Sequence, residues 1–241
     1  MQNLKKLKGD ASQRKFFRKK YDHGNSIIIV AEKNKLKNLL VYDAISKILI
    51  KNKILAPKLY RENYKNNQIE VEDFGNDTIL KILQKGKNKK FLFFKDIIKL
   101  LNQIQSIKDR KIKNFKNKYY QIPEYKNKIL IQEANLFSEW FVKKNLSKKK
   151  RKNFNKRFKK IIKNLASCLK MKNDIFVHRD FHVSNLMLVN NRIGVIDSQD
   201  ALIGNRAYDL ASLVDDVRLK TSQVLKKQIF NFYINSQKKI D

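Results

Sequence analysis

Residues 178–185 read His-Arg-Asp-Phe-His-Val-Ser-Asn, and Val195-Ile196-Asp197 follows shortly after. Asp180, Asn185 and Asp197 are a carboxylate base and two hard oxygen ligands. Such a set suits transfer of a phosphoryl group to a hydroxyl: Asp180 takes the hydroxyl proton, while Asn185 and Asp197 hold Mg²⁺ against a γ-phosphate. The reaction asks for position and charge neutralisation rather than covalent chemistry by the protein, so an ionised, well-aimed carboxylate is enough. An isolated His-x-Asp is read more simply as a surface turn. Here, apolar runs on both sides and the later Asp197 make the phosphotransfer pattern far more specific.

The neighbours take supporting roles. His178 belongs to the catalytic loop and is expected to hold it by hydrogen bonds rather than to carry protons. His182 is read as structural. The two histidines have a zinc-like i, i+4 spacing, but no Glu or Cys completes a ligand set. Asp200 stands three residues beyond Asp197 and could meet a second metal, a water or the backbone. Asp209 is expected to be a structural acceptor that steadies the catalytic loop. On the nucleotide side, Gly9, Asp10, Ala11 and Ser12 precede Arg14, Lys15 and Arg18. This could be a short loop covering phosphates, although it is neither a Walker loop nor a glycine triad. A capped turn with solvent-facing cations is the alternative.

Two kinds of lobe are needed to position these groups. Residues 9–31 predict a hairpin about Asp22-His23-Gly24-Asn25, with a β-branched second strand from Ser26 to Ala31. Helical periodicity over 35–51 ends at Ala56-Pro57. Strands are predicted at Leu59-Tyr60 and Gln68 to Phe74, and Gly75-Asn76-Asp77 is a connection. These residues divide the chain into an N-terminal nucleotide-binding lobe, 1–74, and a C-terminal lobe, 75–241, with the catalytic loop and acceptor site. The second lobe reads as mainly helical, with helices at 78–83, 91–107, 130–146 and 154–169. A short strand, Ile175 to Val177, enters the catalytic loop; Leu186 to Val189 and Ile193 to Ile196 form a hairpin about Asn190-Asn191. Helices follow near Tyr208 to Leu213 and Val224 to Tyr233. The fold class is α+β, and no internal repeat is visible.

The 241 residues are 42% hydrophobic and 10% aromatic, enough for a buried core. The formal charge of +33 would ordinarily favour nucleic acid or an anionic membrane. The lysines are nevertheless spread through nearly every segment, as solvent-facing positions filled by compositional bias would be. Cys168 is the lone cysteine, which excludes an intrachain disulfide and predicts a packing role. No apolar leader or membrane-length run is present, so a cytoplasmic protein without membrane association is expected.

The catalytic residues, with Tyr208-Asp209-Leu210, resemble the aminoglycoside phosphotransferase and choline kinase superfamily. Within it, residues 9–18, 71–75, 133–141 and 194–201 are similar to those of bacterial N-acetylmuramate/N-acetylglucosamine anomeric kinases of cell-wall recycling. The resemblance implies a bilobal protein-kinase-like fold with a small β-rich lobe and a mainly helical lobe, from which this chain is expected to depart by a short C-terminus that lacks the C-terminal helices of the group. It implies ATP and Mg²⁺ as cofactors and an amino sugar as the small-molecule substrate. Asp180 then activates the sugar hydroxyl, the Gly9 to Ser12 loop approaches ATP, and the backbone around Glu72 receives adenine. Glu133, Glu139, Trp140 and Asp200 become sugar-side residues. The alternative for this segment is a helix whose Leu136, Phe137 and Trp140 pack into the core.

The chain departs from the family pattern in the Ile27 to Ala31 strand, which lacks a phosphate-binding lysine, leaving Arg14, Lys15 or Arg18 for that task. Ser198 replaces the usual aromatic beside the metal aspartate. Other acceptors (aminoglycosides or choline-like compounds) and a catalytically degenerate nucleotide-binding module are the rival readings. A nucleic-acid protein is a further one, motivated by Lys148 to Lys152 and Lys156 to Lys160 with Phe154 and Phe158 interleaved. A protein kinase fits less well, because Ser198-Gln199 follows Asp197.

Overall fold

The β-branched run Ile27 to Val30 favours extended backbone and needs partners on both edges. It finds them in a five-stranded antiparallel sheet of order β1-β2-β3-β5-β4. The strands are β1 (Leu4–Leu7), β2 (Lys15–Tyr21), β3 (Gly24–Val30), β4 (Leu59–Asn63) and β5 (Gln68–Glu72). The structure is a computed structural model describing residues 4–7, 14–86, 90–168 and 172–237. The first half of the expected hairpin is therefore seen from Arg14 onward. β1 pairs with β2 from Leu4 opposite Lys19 to Leu7 opposite Phe16, an edge the sequence pattern does not reveal.

Helix α1 (Lys37–Lys51) joins two cores. Leu39 and Tyr42 pack with Ile29, Ile69 and Val71 of the sheet. Ile45, Ile48 and Leu49, about a turn further on, enter the larger core of the second lobe. Asn52 closes the helix by donating its side-chain amide to the Ile48 carbonyl at 2.9 Å. After β5 the chain passes through Asp73 to Asp77, with Gly75 at φ +82°, a backbone state that glycine adopts without side-chain strain. Thr78 then caps α2 (Ile79–Lys85), accepting from the Lys81 amide at 3.2 Å.

The centre of the helical lobe is α3 (Lys90–Gln105), whose Phe94, Ile97, Ile98, Leu101 and Ile104 are fully buried. Each such side chain contributes about 2 kcal/mol of burial free energy. The small hairpin of β6 (Lys111–Lys113) and β7 (Tyr119–Gln121) lies next in the chain and has no clear sequence signal.

The single helix expected over 130–146 is not what forms. The chain makes α4 (Asn127–Leu136), a π-helical turn (Phe137–Val142) and the short α5 (Lys143–Asn145). A π turn holds one more residue than an α turn, so it rotates the following side chains off the apolar stripe. Trp140 is accordingly 77% exposed, with Leu136 at 48% and Phe137 at 47%, so the core-packing alternative for these residues fails. Helix α6 (Lys148–Cys168) starts six residues before the expected 154, because its first turns are Lys and Arg, good helix formers that add no apolar periodicity. Its Phe154 and Phe158 stack at 5.4 Å and both pack on Phe137. Cys168 is exposed rather than packed, since the apolar face of α6 passes elsewhere.

The remaining elements frame residues 178–185. β8 (Ile175–Val177) pairs antiparallel with β11 (Leu202–Gly204), and β9 (Leu186–Val189) with β10 (Arg192–Val195). Asn190 and Asn191, at φ 47° and 60°, make the tight left-handed turn between β9 and β10. Helix α7 (Ala207–Val214) lies behind the loop, and α8 (Gln223–Gln237) packs on α3, with Tyr233 donating its hydroxyl to Gln105 at 2.7 Å. Among the described residues, no helix is long and apolar enough to cross a membrane.

Candidate active site

β8 is completely apolar and buried, so it fixes the backbone that enters residues 178–180. Arg179 has φ 75°, a left-handed conformation that a non-glycine residue keeps only when its surroundings enforce it. The enforcement comes from Asp209 on α7. Its Oδ2 accepts from the His178 amide at 2.7 Å and its Oδ1 from the Arg179 amide at 2.9 Å. Burial pushes this carboxyl up to about 7, against the downward pull of the two N–H groups.

His178 is fully buried, and burial lowers its pKa to about 4, so the ring is neutral near pH 7. Its Nδ1 accepts from the Asp180 amide at 3.3 Å. The ring proton is thereby assigned to Nε2, on the side of the Ile196 carbonyl.

Asp180 keeps a side chain 51% exposed, open to a reacting hydroxyl. Its pKa is raised, chiefly by burial, with Asp197 and Asp200 adding repulsion while His182 and Arg218 oppose it. His182 Nε2 lies 3.7 Å from Asp180 Oδ1 and 3.3 Å from Asn185 Nδ2. Burial leads the lowering of the His182 pKa, with the Arg218 cation acting in the same direction.

Asn185 Nδ2 donates to the Asp180 carbonyl at 3.0 Å, which leaves Oδ1 as the amide atom suited to a hard cation. The Ile196 amide donates to the Asn185 carbonyl at 3.0 Å, bringing Asp197 next to Asn185. Asp197 adopts φ 63° and ψ 36°, ending the run from β10 in a sharp turn that passes into the 3₁₀ turn Ser198–Asp200. Arg14 Nη2 donates to Asp197 Oδ1 at 2.8 Å. The donor chemistry of Asn185 and Asp197 fits Mg²⁺, which binds one or two protein oxygens and takes further ligands from phosphates and water. Among the described residues, no group of three or more His, Cys, Asp or Glu side chains could hold a metal ion.

The other residues singled out from the sequence fall in several places. Gly9, Asp10, Ala11 and Ser12 lie outside the described residues. Arg18 is engaged by Asp73, Asn76 and the Gly75 carbonyl. Glu72 ends β5, its amide donating to the Lys58 carbonyl at 2.9 Å and its carboxylate accepting from the Lys58 amide at 3.3 Å. Glu133 turns to the catalytic loop: Oε1 accepts from Arg179 Nε at 3.0 Å and from Nη2, and Oε2 accepts from the Tyr125 hydroxyl. Glu139 and Trp140 stand exposed on the π turn, and no described hydrogen bond joins them to that network. Asp200 is exposed and accepts from Gln199 Nε2 at 2.8 Å. Sequence reasoning missed Arg179 as an anchor, although it lies inside the motif. It also missed Arg218, which acts electrostatically on His182 and Asp180.

The chain is 28% identical over 209 residues to an N-acetylmuramate/N-acetylglucosamine kinase of Neisseria meningitidis serogroup B, covering 86% of this chain and 59% of that protein. A protein of the same name from Pseudomonas aeruginosa is 26% identical, with 86% and 58% covered. The chain thus spans less than two thirds of the curated relatives it matches. Among solved structures, the streptomycin–ATP ternary complex of APH(2″)-IIa superposes with a TM-score of 0.65 at 16% identity, covering 96% of this chain and 77% of that one. A choline/ethanolamine kinase family protein from Mesorhizobium loti gives 0.63 at 10% identity, with 96% and 69% covered. These likenesses establish the kinase-like α+β fold, a five-stranded N-lobe sheet beside a mainly helical C-lobe. A family model described as the phosphotransferase enzyme family, APH, matches residues 3–237, nearly the whole chain that carries this loop, and the protein belongs to that family.

Proposed function

We propose that the protein transfers the γ-phosphoryl group of ATP to an amino sugar, N-acetylmuramate or N-acetylglucosamine, at the anomeric hydroxyl, as a cytoplasmic step of cell-wall recycling. The observation that carries the phosphotransfer reading is one local arrangement. The half-exposed Asp180 carboxylate shares a hydrogen-bonded loop with Asn185, and Asp197 is tied in by the bond from the Ile196 amide to the Asn185 carbonyl. The amino sugar as acceptor is supported by the names of the relatives.

Bound Mg²⁺ and ATP supply the transferable phosphoryl group and neutralise charge on its oxygens. Asn185 Oδ1 and the Asp197 carboxylate would hold the metal. Residues 1–74 and 75–241 would be the two lobes that hold the nucleotide between them. Asp180 takes the proton from the acceptor hydroxyl as that oxygen bonds to phosphorus and the bond to the departing ADP oxygen breaks. Neutral His178 and the Asp209 carboxyl, which accepts from the His178 and Arg179 amides, keep the loop backbone fixed during the transfer.

The test is incubation with Mg²⁺-ATP and separate acceptors: N-acetylmuramate, N-acetylglucosamine, other hexoses, choline and an aminoglycoside. Product is followed by mass, with Asp180→Asn as the control. The expected result is an acid-labile amino sugar phosphate that the variant does not make. Phosphorylation of choline or the aminoglycoside alone would replace the acceptor. A folded, ATP-binding protein with no product from any acceptor would turn the reading toward a nucleotide-binding module.

A further inference from the structure

Strand β3 presents Ile27 to Val30 and no cation, so the phosphates of a bound nucleotide need a positive charge from elsewhere. The structure separates the three cations on β2 and its approach. Arg18 is committed to Asp73, Asn76 and Gly75, and Lys15 is exposed at the start of the strand. Arg14 alone of the three contacts a residue of the metal-binding pair, with Nη2 2.8 Å from Asp197 Oδ1. Its side chain is 10% exposed, and its guanidinium carbon lies 5.7 Å from the centre of the Phe16 ring. The buried Tyr42 phenol of α1 is close enough to feel both members of the pair.

Arg14 and a metal ion would share the Asp197 carboxylate, which would bring the guanidinium within reach of phosphates that arrive with that metal. We propose that Arg14 is the phosphate-binding positioning residue of this protein, standing in for a strand lysine, and that it neutralises Asp197 until a divalent cation arrives with the nucleotide. The inference rests on the phosphotransferase reading above. A planar guanidinium suits the exchange, since its several N–H donors match carboxylate and phosphate oxygens alike.

The experiment compares binding of ATP and of adenosine, both with Mg²⁺, to the wild-type protein, Arg14→Gln and Arg14→Lys by calorimetry. Loss of a charge-assisted contact to phosphate is expected to weaken ATP binding about tenfold or more in Arg14→Gln, with adenosine binding unchanged. Arg14→Lys, which keeps the charge without the fork, is expected to fall between. Mn²⁺ binding without nucleotide, read by electron paramagnetic resonance, should tighten in Arg14→Gln because Asp197 has lost its internal cation. Unchanged ATP affinity, or equal weakening of ATP and adenosine, would overturn the proposal while leaving the phosphotransferase reading intact. A wild-type protein that binds neither ATP nor ADP would overturn both. If Arg14→Gln does not fold, the ATP-to-adenosine ratio in Arg14→Lys decides.

Discussion

Arg18 of β2 and Asp73 of the connecting segment meet as a two-point ion pair, with Nη2 donating to Oδ1 at 2.9 Å and Nε lying 2.5 Å from Oδ2. The same guanidinium donates to Asn76 Oδ1 at 2.6 Å and to the Gly75 carbonyl at 2.8 Å. The sheet is thus braced to the residues that lead into the second lobe.

The Asp73 side chain is only 4% exposed, so removing its cation leaves a buried charge uncompensated. Arg18→Gln is expected to lower the unfolding free energy by about 3 kcal/mol. Arg18→Gln with Asp73→Asn should cost less than the sum of the single changes, a coupling readable by urea denaturation. Strict additivity would deny the brace.

His178 and Asp209 predict opposing pH effects on stability. Folded His178 binds its proton only near pH 4, against an ordinary value of 6.5, so its contribution is lost as pH falls through that interval. Folded Asp209 holds its proton up to about 7, against 3.8, so its contribution grows as pH falls from 7. The two slopes offset each other between pH 4 and 6.5. On going from pH 7.5 to 5, the urea midpoint of His178→Gln should fall less than that of the wild type, and that of Asp209→Asn should fall more. Equal shifts in all three proteins would remove both assignments.

The grouping of Asp180, Asn185 and Asp197 in one place was legible because they lie within one short stretch, where local spacing carries the geometry. The Arg14 to Asp197 pair was not, since its members are 183 residues apart and only the docking of the sheet on the second lobe brings them together. The α+β class and the order of elements followed from periodicity in β3, α1 and α3, whose buried faces are long and regular. The π turn escaped because Leu130 to Leu146 looks periodic either way: one inserted residue leaves the composition unchanged and turns Trp140 outward. Strands β6, β7 and β11 are three residues each, too short for an alternation to show.

Gly194 of β10 lies against the connecting segment on one side and the segment that follows α1 on the other. A Cβ there would stand 2.7 Å from Phe74 Cε2 and 3.3 Å from Leu55 Cδ2. Phe74 is 7% exposed and has little room to withdraw. Gly194→Ala is therefore expected to destabilise by about 1–3 kcal/mol, measured by thermal or urea unfolding. Adding Phe74→Leu should return part of the loss, because the clash is with the ring. No destabilisation in Gly194→Ala would show that the hairpin can shift freely against the connecting segment.

Glu133 offers a kinetic distinction between binding sugar and holding the loop. Its carboxylate accepts from Arg179 Nε and Nη2 and from the Tyr125 hydroxyl, while the Tyr125 and Tyr208 rings meet edge to face at 5.5 Å. Arg179 is adjacent to Asp180, so slack in this anchor would displace the proposed base directly. Small misplacements of a reacting group cost up to about 100-fold in rate. Glu133→Gln is expected to lower kcat with the acceptor KM nearly unchanged, and Arg179→Lys to do the same because a single ammonium cannot reproduce the paired contacts. Steady-state kinetics with the acceptor identified by the product assay separates the two roles: a raised acceptor KM at constant kcat would make Glu133 a sugar ligand instead.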